Sequence, residues 1–324
     1  MYMCRFLSRR NLLALGCTAV SGSFLRAAQK PMRGVFIIMA TPYTATKGVD
    51  FEDLAGEVAF LDKCGVHGMV WPQLASEYSQ LTTEERMRGM DILAREAKSK
   101  RPALVLGVQG PDTKAALAYV RHAERLGPDA LIAMPPGDAK TVDDIRDYYR
   151  ALARAASRPL FIQTTGGPKG LTPPVSLLIE LAREFPNCGY VKEEAQPVIA
   201  RMQELAGARP EIKSIFSGAG GRGMMYESRL GFDGTMPGAP YADIHAQVWD
   251  LYQAGRREQA RDLFSRLLLM LECEQQIPGT RQYLMQKRGV FKTTVSRQRG
   301  FDLDARAVAE IDFQFDALRP YLHA

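Results

Sequence analysis

Cysteine is scarce, and no CxxC occurs among the five in 324 residues. Cys4 and Cys17 lie within the first 28 residues, and the other three, Cys64, Cys188 and Cys273, are widely spaced. This excludes a disulfide framework and a zinc knuckle, and leaves the three as small buried hydrophobes. Histidine is scarcer still. His67, His122, His245 and His323 are scattered with no pair at metal-ligand spacing, so no metal is expected. Long apolar runs are missing too: the stretch from Leu12 to about Val20 falls short of the ~20 residues that cross a bilayer, so no membrane span is expected. No low-complexity segment occurs, and 46% hydrophobic with 24% charged residues is a globular balance. A chain this long buries roughly three quarters of its extended surface and fits two ordinary domains or one large barrel with an appendage.

A concentrated basic surface is also lacking. The net charge of +6 comes largely from residues 1–28, which hold Arg5, Arg9, Arg10 and Arg26 and no acid, leaving 38 basic against 36 acidic residues elsewhere. Later basic pairs, Arg256-Arg257 and Lys287-Arg288, are short and mixed with acids, so they read as solvated helix faces and no nucleic-acid partner is expected. The leader has its own order: Ser8-Arg9-Arg10-Asn11-Leu12-Leu13, a modest apolar core, then small residues at Ala27-Ala28. That order is that of an export signal, and the paired arginines resemble the twin-arginine type. The expectation is export to the periplasm, with a cytoplasmic location if the leader does not function. Such export carries proteins already folded, which agrees with a chain that makes no use of disulfides. The alternative is a frayed basic N-terminus.

From residue 32, β-rich runs alternate with helical patterns, as in parallel βα units. The runs are Gly34–Ala40, Gly68–Pro72, Ala103–Val108, Ala130–Met134, Leu160–Thr164, Tyr190–Lys192, Ile212–Ser217 and Gly234–Met236. Helix starts pair a side-chain oxygen with an acid three residues on: Asp50 with Asp53, Thr82 with Glu85, Thr141 with Asp144. Three helices close on a glycine suited to a left-handed cap, Gly65, Gly127 and Gly231. Eight such units predict a (β/α)8 TIM barrel, an α/β fold, over residues 32–250. A doubly wound sheet would want a glycine-rich phosphate loop after the first strand, where Ala40-Thr41-Pro42-Tyr43-Thr44 stands instead. Residues 251–324 read as a C-terminal helical appendage, with Leu251, Ala254, Leu263, Leu267 and Leu271 apolar.

Active sites of such barrels lie at the C-terminal ends of the strands. Lys192 ends the apolar run Cys188-Gly189-Tyr190-Val191. If Val191 packs outward on the helices, alternation turns Tyr190 and Lys192 inward, and a lysine amine there is a candidate nucleophile towards a ketone.

Several motifs then occur in order: Gly34-Val35 through Ala40-Thr41-Pro42-Tyr43, Val49-Asp50, Glu77 before Leu81-Thr82 and Glu84-Glu85-Arg86. They continue through Tyr190-Val191-Lys192-Glu193, Ser217-Gly218, Leu230-Gly231-Phe232-Asp233-Gly234 and Ala254-Gly255-Arg256. Over about residues 32–320 the chain resembles the dihydrodipicolinate synthase and N-acetylneuraminate lyase family. The resemblance implies a barrel lysine, here Lys192, that forms an imine with a 2-oxo acid such as pyruvate, the protonated imine acting as electron sink. It implies no cofactor beyond that covalent imine, and a homotetramer or homodimer.

Two departures accompany it. The family's hydroxyl-bearing turn after the second strand, which holds the substrate carboxylate, reads here Gln73-Leu74-Ala75-Ser76-Glu77. Its tyrosine after the fourth strand, a general acid/base, is replaced by Gly137 in Met134-Pro135-Pro136-Gly137-Asp138. Losing a positioned acid/base costs ~10²–10⁴ in rate, so another group takes over or the reaction differs. The candidates are Tyr43, Tyr78 and Glu194, the last with the side-chain parity of Lys192 if the strand continues. Expected substrate-binding residues are Glu77 and Ser76, Gly137 with the space it opens, Thr164 and Thr165, Ser217 and Gly218, and Gly238 on the rim after the eighth strand. The expected function is a Schiff-base-forming lyase, aldolase or dehydratase, acting on a 2-oxo acid of sugar-derived or other origin. The alternative is a catalytically silent member that binds a carbonyl or carboxylate ligand without turnover.

Overall fold

The computed structural model describes residues 30–324; the expected leader lies outside the described residues. Eight strands form: β1 Gly34–Ile38, β2 Gly68–Trp71, β3 Ala103–Gly107, β4 Ala130–Ala133, β5 Leu160–Gln163, β6 Tyr190–Glu193, β7 Ser214–Ser217 and β8 Gly234–Thr235. All are parallel, and β8 returns to β1 through Gly34–Gly234 and Val35–Thr235, closing the ring. Closure decides the sequence pattern. A sheet with helices outside and packed side chains inside is buried on both faces, so its strands carry apolar runs rather than an alternation of apolar and polar residues, as Gly34–Ile38 illustrates.

The two faces do different work. Outward residues such as Val35, Ile37, Met69, Leu104, Leu131, Ile162 and Val191 pack against the helices in one large core. Inward residues form a second, separate cluster built on Phe36, Ile38, Val70, Val105, Ile132, Phe161, Phe216 and Met236, with Tyr190 packed on it. Phe216 meets Phe36 at 4.9 Å and Phe161 at 5.3 Å, edge to face, and Tyr190 stands 5.4 Å from Phe161. These rings fill the barrel and make a dry floor beneath its C-terminal mouth.

The helices of the units are α1 Phe51–Lys63, α2 Thr83–Ala97, α3 Thr113–Leu126, α4 Val142–Ala155, α5 Val175–Glu184, α6 Val198–Gly207, α7 Met224–Arg229 and α8 Ala242–Gln253. Two of the expected capping pairs are reciprocal boxes, Thr82 with Glu85 and Thr141 with Asp144. The third differs. Asp50 caps α1 through the amides of Glu52 and Asp53, but the Asp53 carboxylate turns away to the backbone N–H of Lys292 at 2.7 Å and its amine at 2.9 Å. Gly65, Gly127 and Gly231 take φ of +75°, +74° and +84°, the left-handed closure that disfavours side-chain-bearing residues.

The eighth helix runs past residue 250, and three more follow: α9 Arg257–Gln276, α10 Thr280–Lys287 and α11 Ala305–Asp316. The appendage is not helical throughout. Residues 288–304 are irregular, with Gly289 and Gly300 at positive φ, and this segment crosses the barrel's C-terminal face. Thr293 Oγ1 donates to the Tyr43 carbonyl at 2.5 Å, Ser296 Oγ to Glu77 at 2.8 Å, and the Arg297 guanidinium pairs with Glu85 at 2.5 Å. Local sequence patterns did not mark this roof because its contacts are with loops far earlier in the chain.

The appendage is fastened by a buried ion pair. Asp243 of α8 accepts from Arg288 Nη1 at 3.0 Å and Nη2 at 2.7 Å, with both side chains almost fully buried, and from the His323 amide at 2.9 Å. Removing the acid strands the guanidinium without a counter-charge. Asp243→Ala is expected to lower unfolding free energy by roughly 3–5 kcal/mol in a urea titration; a loss under about 1 kcal/mol, the level of a surface pair, contradicts this assignment.

Candidate active site

Strand alternation puts Lys192 on the inner face of β6, above Tyr190, while Val191 packs outward. Its side chain is 6% exposed, so the amine meets little but its neighbours. Nζ donates to Gln163 Oε1 at 3.3 Å and lies 3.4 Å from Glu194 Oε2. Gln163 is the register partner of Lys192 on β5 and shares the inward parity of Phe161. Its amide bridges the pair, since Nε2 donates to the same Glu194 oxygen at 3.0 Å.

Glu194 lies one residue beyond the end of β6, and a hydroxyl sets its position. Thr164 Oγ1 donates to Glu193 Oε1 at 2.6 Å and accepts from the amides of Glu194 at 3.0 Å and Ala195 at 3.2 Å. Glu193 itself points outward to Arg201 at 3.1 Å. The turn so fixed returns the Glu194 carboxylate over the mouth, where Thr165 Oγ1 donates to Oε2 at 2.7 Å and the Ala219 amide to Oε1 at 3.2 Å. Gly218 makes this approach feasible: a Cβ there would lie 1.7 Å from Oε1. Burial pushes the Glu194 carboxyl up, but the Lys192 charge and the donors from Thr165 and Ala219 outweigh it, and the group stays below its ordinary value.

The amine and carboxylate open into a cavity of about 310 Å³ at the C-terminal mouth. That is the small end of ligand pockets, suited to a compact molecule. Ile38, Met236 and Gly238 border it from the barrel, Gln73, Leu74 and Ala75 from the turn after β2, and Arg222, Glu274 and Arg281 above. Among the described residues no cluster of His, Cys, Asp and Glu could hold a metal.

Several expected site residues stand elsewhere. Tyr43 is 1% exposed and does not border the cavity; the loop after β1 tucks it beneath the Arg297 guanidinium, 4.8 Å above its ring. Burial and the nearby Glu77 charge push its phenol well above the ordinary tyrosine value. Tyr78 packs at Arg86. Glu77 is buried and accepts from Ser296 Oγ at 2.8 Å, Gln282 Nε2 at 3.1 Å and the Arg297 amide at 3.2 Å, so it anchors the roof. Ser76 Oγ donates to the Met39 carbonyl at 2.5 Å and accepts from the Gln73 amide at 3.0 Å, joining two loops.

Ser217 faces outward because Phe216 takes the inward place on β7; its hydroxyl serves Glu227 and, at 3.1 Å, Thr235. Thr164 likewise positions Glu194 instead of lining the cavity, and Gly218 serves by leaving room. Gly137 is exposed and does not border this cavity, with Pro111 at 3.6 Å the nearest approach to a Cβ built there. Lys192, Glu194 and Gly238 border the cavity, and Thr165 touches it through Glu194. Gln163, Arg222, Glu274 and Arg281 went unmarked by sequence. The alternation that turns Lys192 inward, applied from Phe161, also marks Gln163; the arginines carry no comparable local signal.

A closed eight-stranded barrel with a lysine and a carboxylate sharing its C-terminal mouth defines the class. The chain belongs to the dihydrodipicolinate synthetase family, whose model matches residues 31–306. It is 28% identical over 244 residues to an uncharacterised DapA-like lyase of Pyrococcus abyssi, covering 73% of this chain and 80% of that one. It is 26% identical over 294 residues to a 4-hydroxy-tetrahydrodipicolinate synthase of Chlorobium luteolum, covering 89% and 98%. The fold superposes on a dihydrodipicolinate synthase of Rhodopseudomonas palustris with a TM-score of 0.79 at 23% identity, covering 88% and 97%. A Clostridium difficile protein solved with mannosamine gives 0.79 at 20%, covering 90% and 100%. The family is one of lyases.

Because the folded-state value of Glu194 is depressed, its ionised form stabilises the fold above the ordinary carboxylate value of 4.5, and this contribution fades as pH falls through the lower folded value. Urea unfolding of wild type and Glu194→Gln is expected to show a gap that is full at pH 7 and shrinks progressively below about pH 4.5. A gap independent of pH contradicts the shift.

Proposed function

We propose that the chain is a Schiff-base-forming lyase, an aldolase or dehydratase acting on a 2-oxo acid, with sugar-derived acids within that class. The observation that carries this reading is the amine of the buried Lys192, held 3.4 Å from a carboxylate at the mouth of the barrel. Glu194 takes a proton from the ammonium group, and the free amine attacks the keto carbon. A carbon–nitrogen bond forms, the attacking nitrogen passes one proton to the former carbonyl oxygen, Glu194 returns the proton it took, and the oxygen leaves as water with the nitrogen lone pair forming the iminium. The resulting iminium accepts the electron pair released at the α carbon, either when the bond between the α and β carbons breaks or when an α proton is lost before a β hydroxyl leaves. No external cofactor enters this scheme.

Among the described residues no tyrosine borders the cavity, so proton transfer falls to Glu194, with Gln163 and Thr165 holding it. The same observation favours the second reading, a silent member that forms the imine or binds the acid without turnover. The proposal also places the protein in the periplasm through the leader of residues 1–28, and as a homotetramer or homodimer.

Borohydride added with a panel of 2-oxo acids is expected to fix one acid residue per chain on Lys192, read by intact mass and peptide mapping, and Lys192→Ala is expected to abolish it. Turnover of the same panel, falling about 10²–10⁴-fold in Glu194→Gln, supports the lyase. Trapping without turnover supports the silent binder, and the absence of both in wild type overturns the lysine chemistry.

A further inference from the structure

The Leu74-Ala75 turn borders the Lys192 cavity with two side chains that can neither donate nor accept a hydrogen bond. A cation occupies the adjoining space. Arg281, on α10, borders the same cavity, and its Nη1 donates to the Ala75 carbonyl at 3.1 Å. Its Nη2 pairs with Glu274 Oε1 at 2.5 Å, which fixes the plane of the guanidinium. The group rests against the bare backbone of Gly238, where a Cβ would come within 2.9 Å of Nη2. A guanidinium carries five N–H donors in a rigid fork and stays charged. Here Ala75 and Glu274 occupy one N–H on each terminal nitrogen, which leaves each a second.

Charge around the cavity points the same way. Lys192, Arg222 and Arg281 face Glu194 and Glu274, which leaves one positive charge for a monoanion to neutralise. Arg222 is a strut, with its two terminal nitrogens on the carbonyls of Ala219 and Leu271.

We infer that Arg281 is the carboxylate-binding residue of this cavity, so that a helix from beyond the barrel recognises the acid end of a 2-oxo acid while Lys192 holds its ketone. The inference rests on the proposed lysine chemistry and adds a specificity-determining residue to it. Glu274 is the positioning residue, presenting the fork at a fixed angle. A ketone without a carboxylate gains nothing from Arg281, and this separates its role from a structural one.

The test uses the full chain with two probes, pyruvate and uncharged hydroxyacetone, each titrated against borohydride trapping at Lys192. Arg281→Lys keeps the charge and stem but loses the fork. It is expected to raise the half-saturating pyruvate concentration about ten- to a hundred-fold, as for a hydrogen bond to a charged group, with hydroxyacetone unchanged within about twofold. Gly238→Ala, at an ordinary φ of −80°, pushes the guanidinium aside without deleting it and must move pyruvate in the same direction, so the question stays answerable if the first variant fails to fold. Equal pyruvate dependence in wild type and variant, or a parallel loss for both probes, overturns the subsite while leaving the lysine chemistry intact. No adduct with either probe in wild type removes both.

Discussion

The close pairing of Lys192 with Glu194 is the constraint around which the rest of the mouth is arranged. Two charges withdrawn from water cost several kcal/mol each unless their remaining hydrogen-bonding capacity is satisfied. Here it is met from three neighbouring strand ends: Gln163 at the end of β5 with Thr165 just beyond it, the turn beyond β6 fixed by Thr164, and the Ala219 amide beyond β7. Adjacent parallel strands end on the same rim, and so deliver all of these to one point. The aromatic plug of Phe36, Phe161 and Phe216 below the mouth excludes water from the other side, so the pair keeps its short separation in a low-dielectric setting where electrostatic effects on a reacting group are large.

The C-terminal region completes this arrangement from above. Glu77, which stands in a left-handed turn at φ 56°, receives Gln282 from α10 and Ser296 from the crossing segment. Burial raises its carboxyl above the ordinary value, and three donors converge on it. It therefore acts as the joint between barrel and roof. Because α10 is anchored there and at the buried Asp243–Arg288 pair, Arg281 is delivered to the cavity on a rigid element. The appendage thus contributes side chains to the mouth as well as stability to the fold, and the site is built from both parts of the chain.

What the sequence made legible follows from local rules. Burial on both faces gave the strands their apolar runs, and left-handed closure demanded glycine at positions 65, 127 and 231. Two-residue alternation turned Lys192 inward. The same rule assigns Gln163 to the inside and Ser217 to the outside, because Phe161 and Phe216 fix the parity of β5 and β7. What stayed hidden depends on partners distant in the chain: Tyr43 under Arg297, Asp53 taken by Lys292, Arg281 against Ala75. No spacing rule links residues brought together by the crossing of a roof over a barrel. The capping acid at Asp53 shows the limit well, since its local pattern fits a cap while a lysine late in the chain claims it.

The most direct measurement is a crystal structure of the full chain after soaking with a 2-oxo acid and borohydride. Continuous density is expected from Lys192 Nζ to the former keto carbon, with the acid's oxygens in the cavity and Glu194 still beside the nitrogen. Density for the acid anywhere else, with the lysine side chain bare and its contacts to Gln163 and Glu194 unchanged, contradicts it.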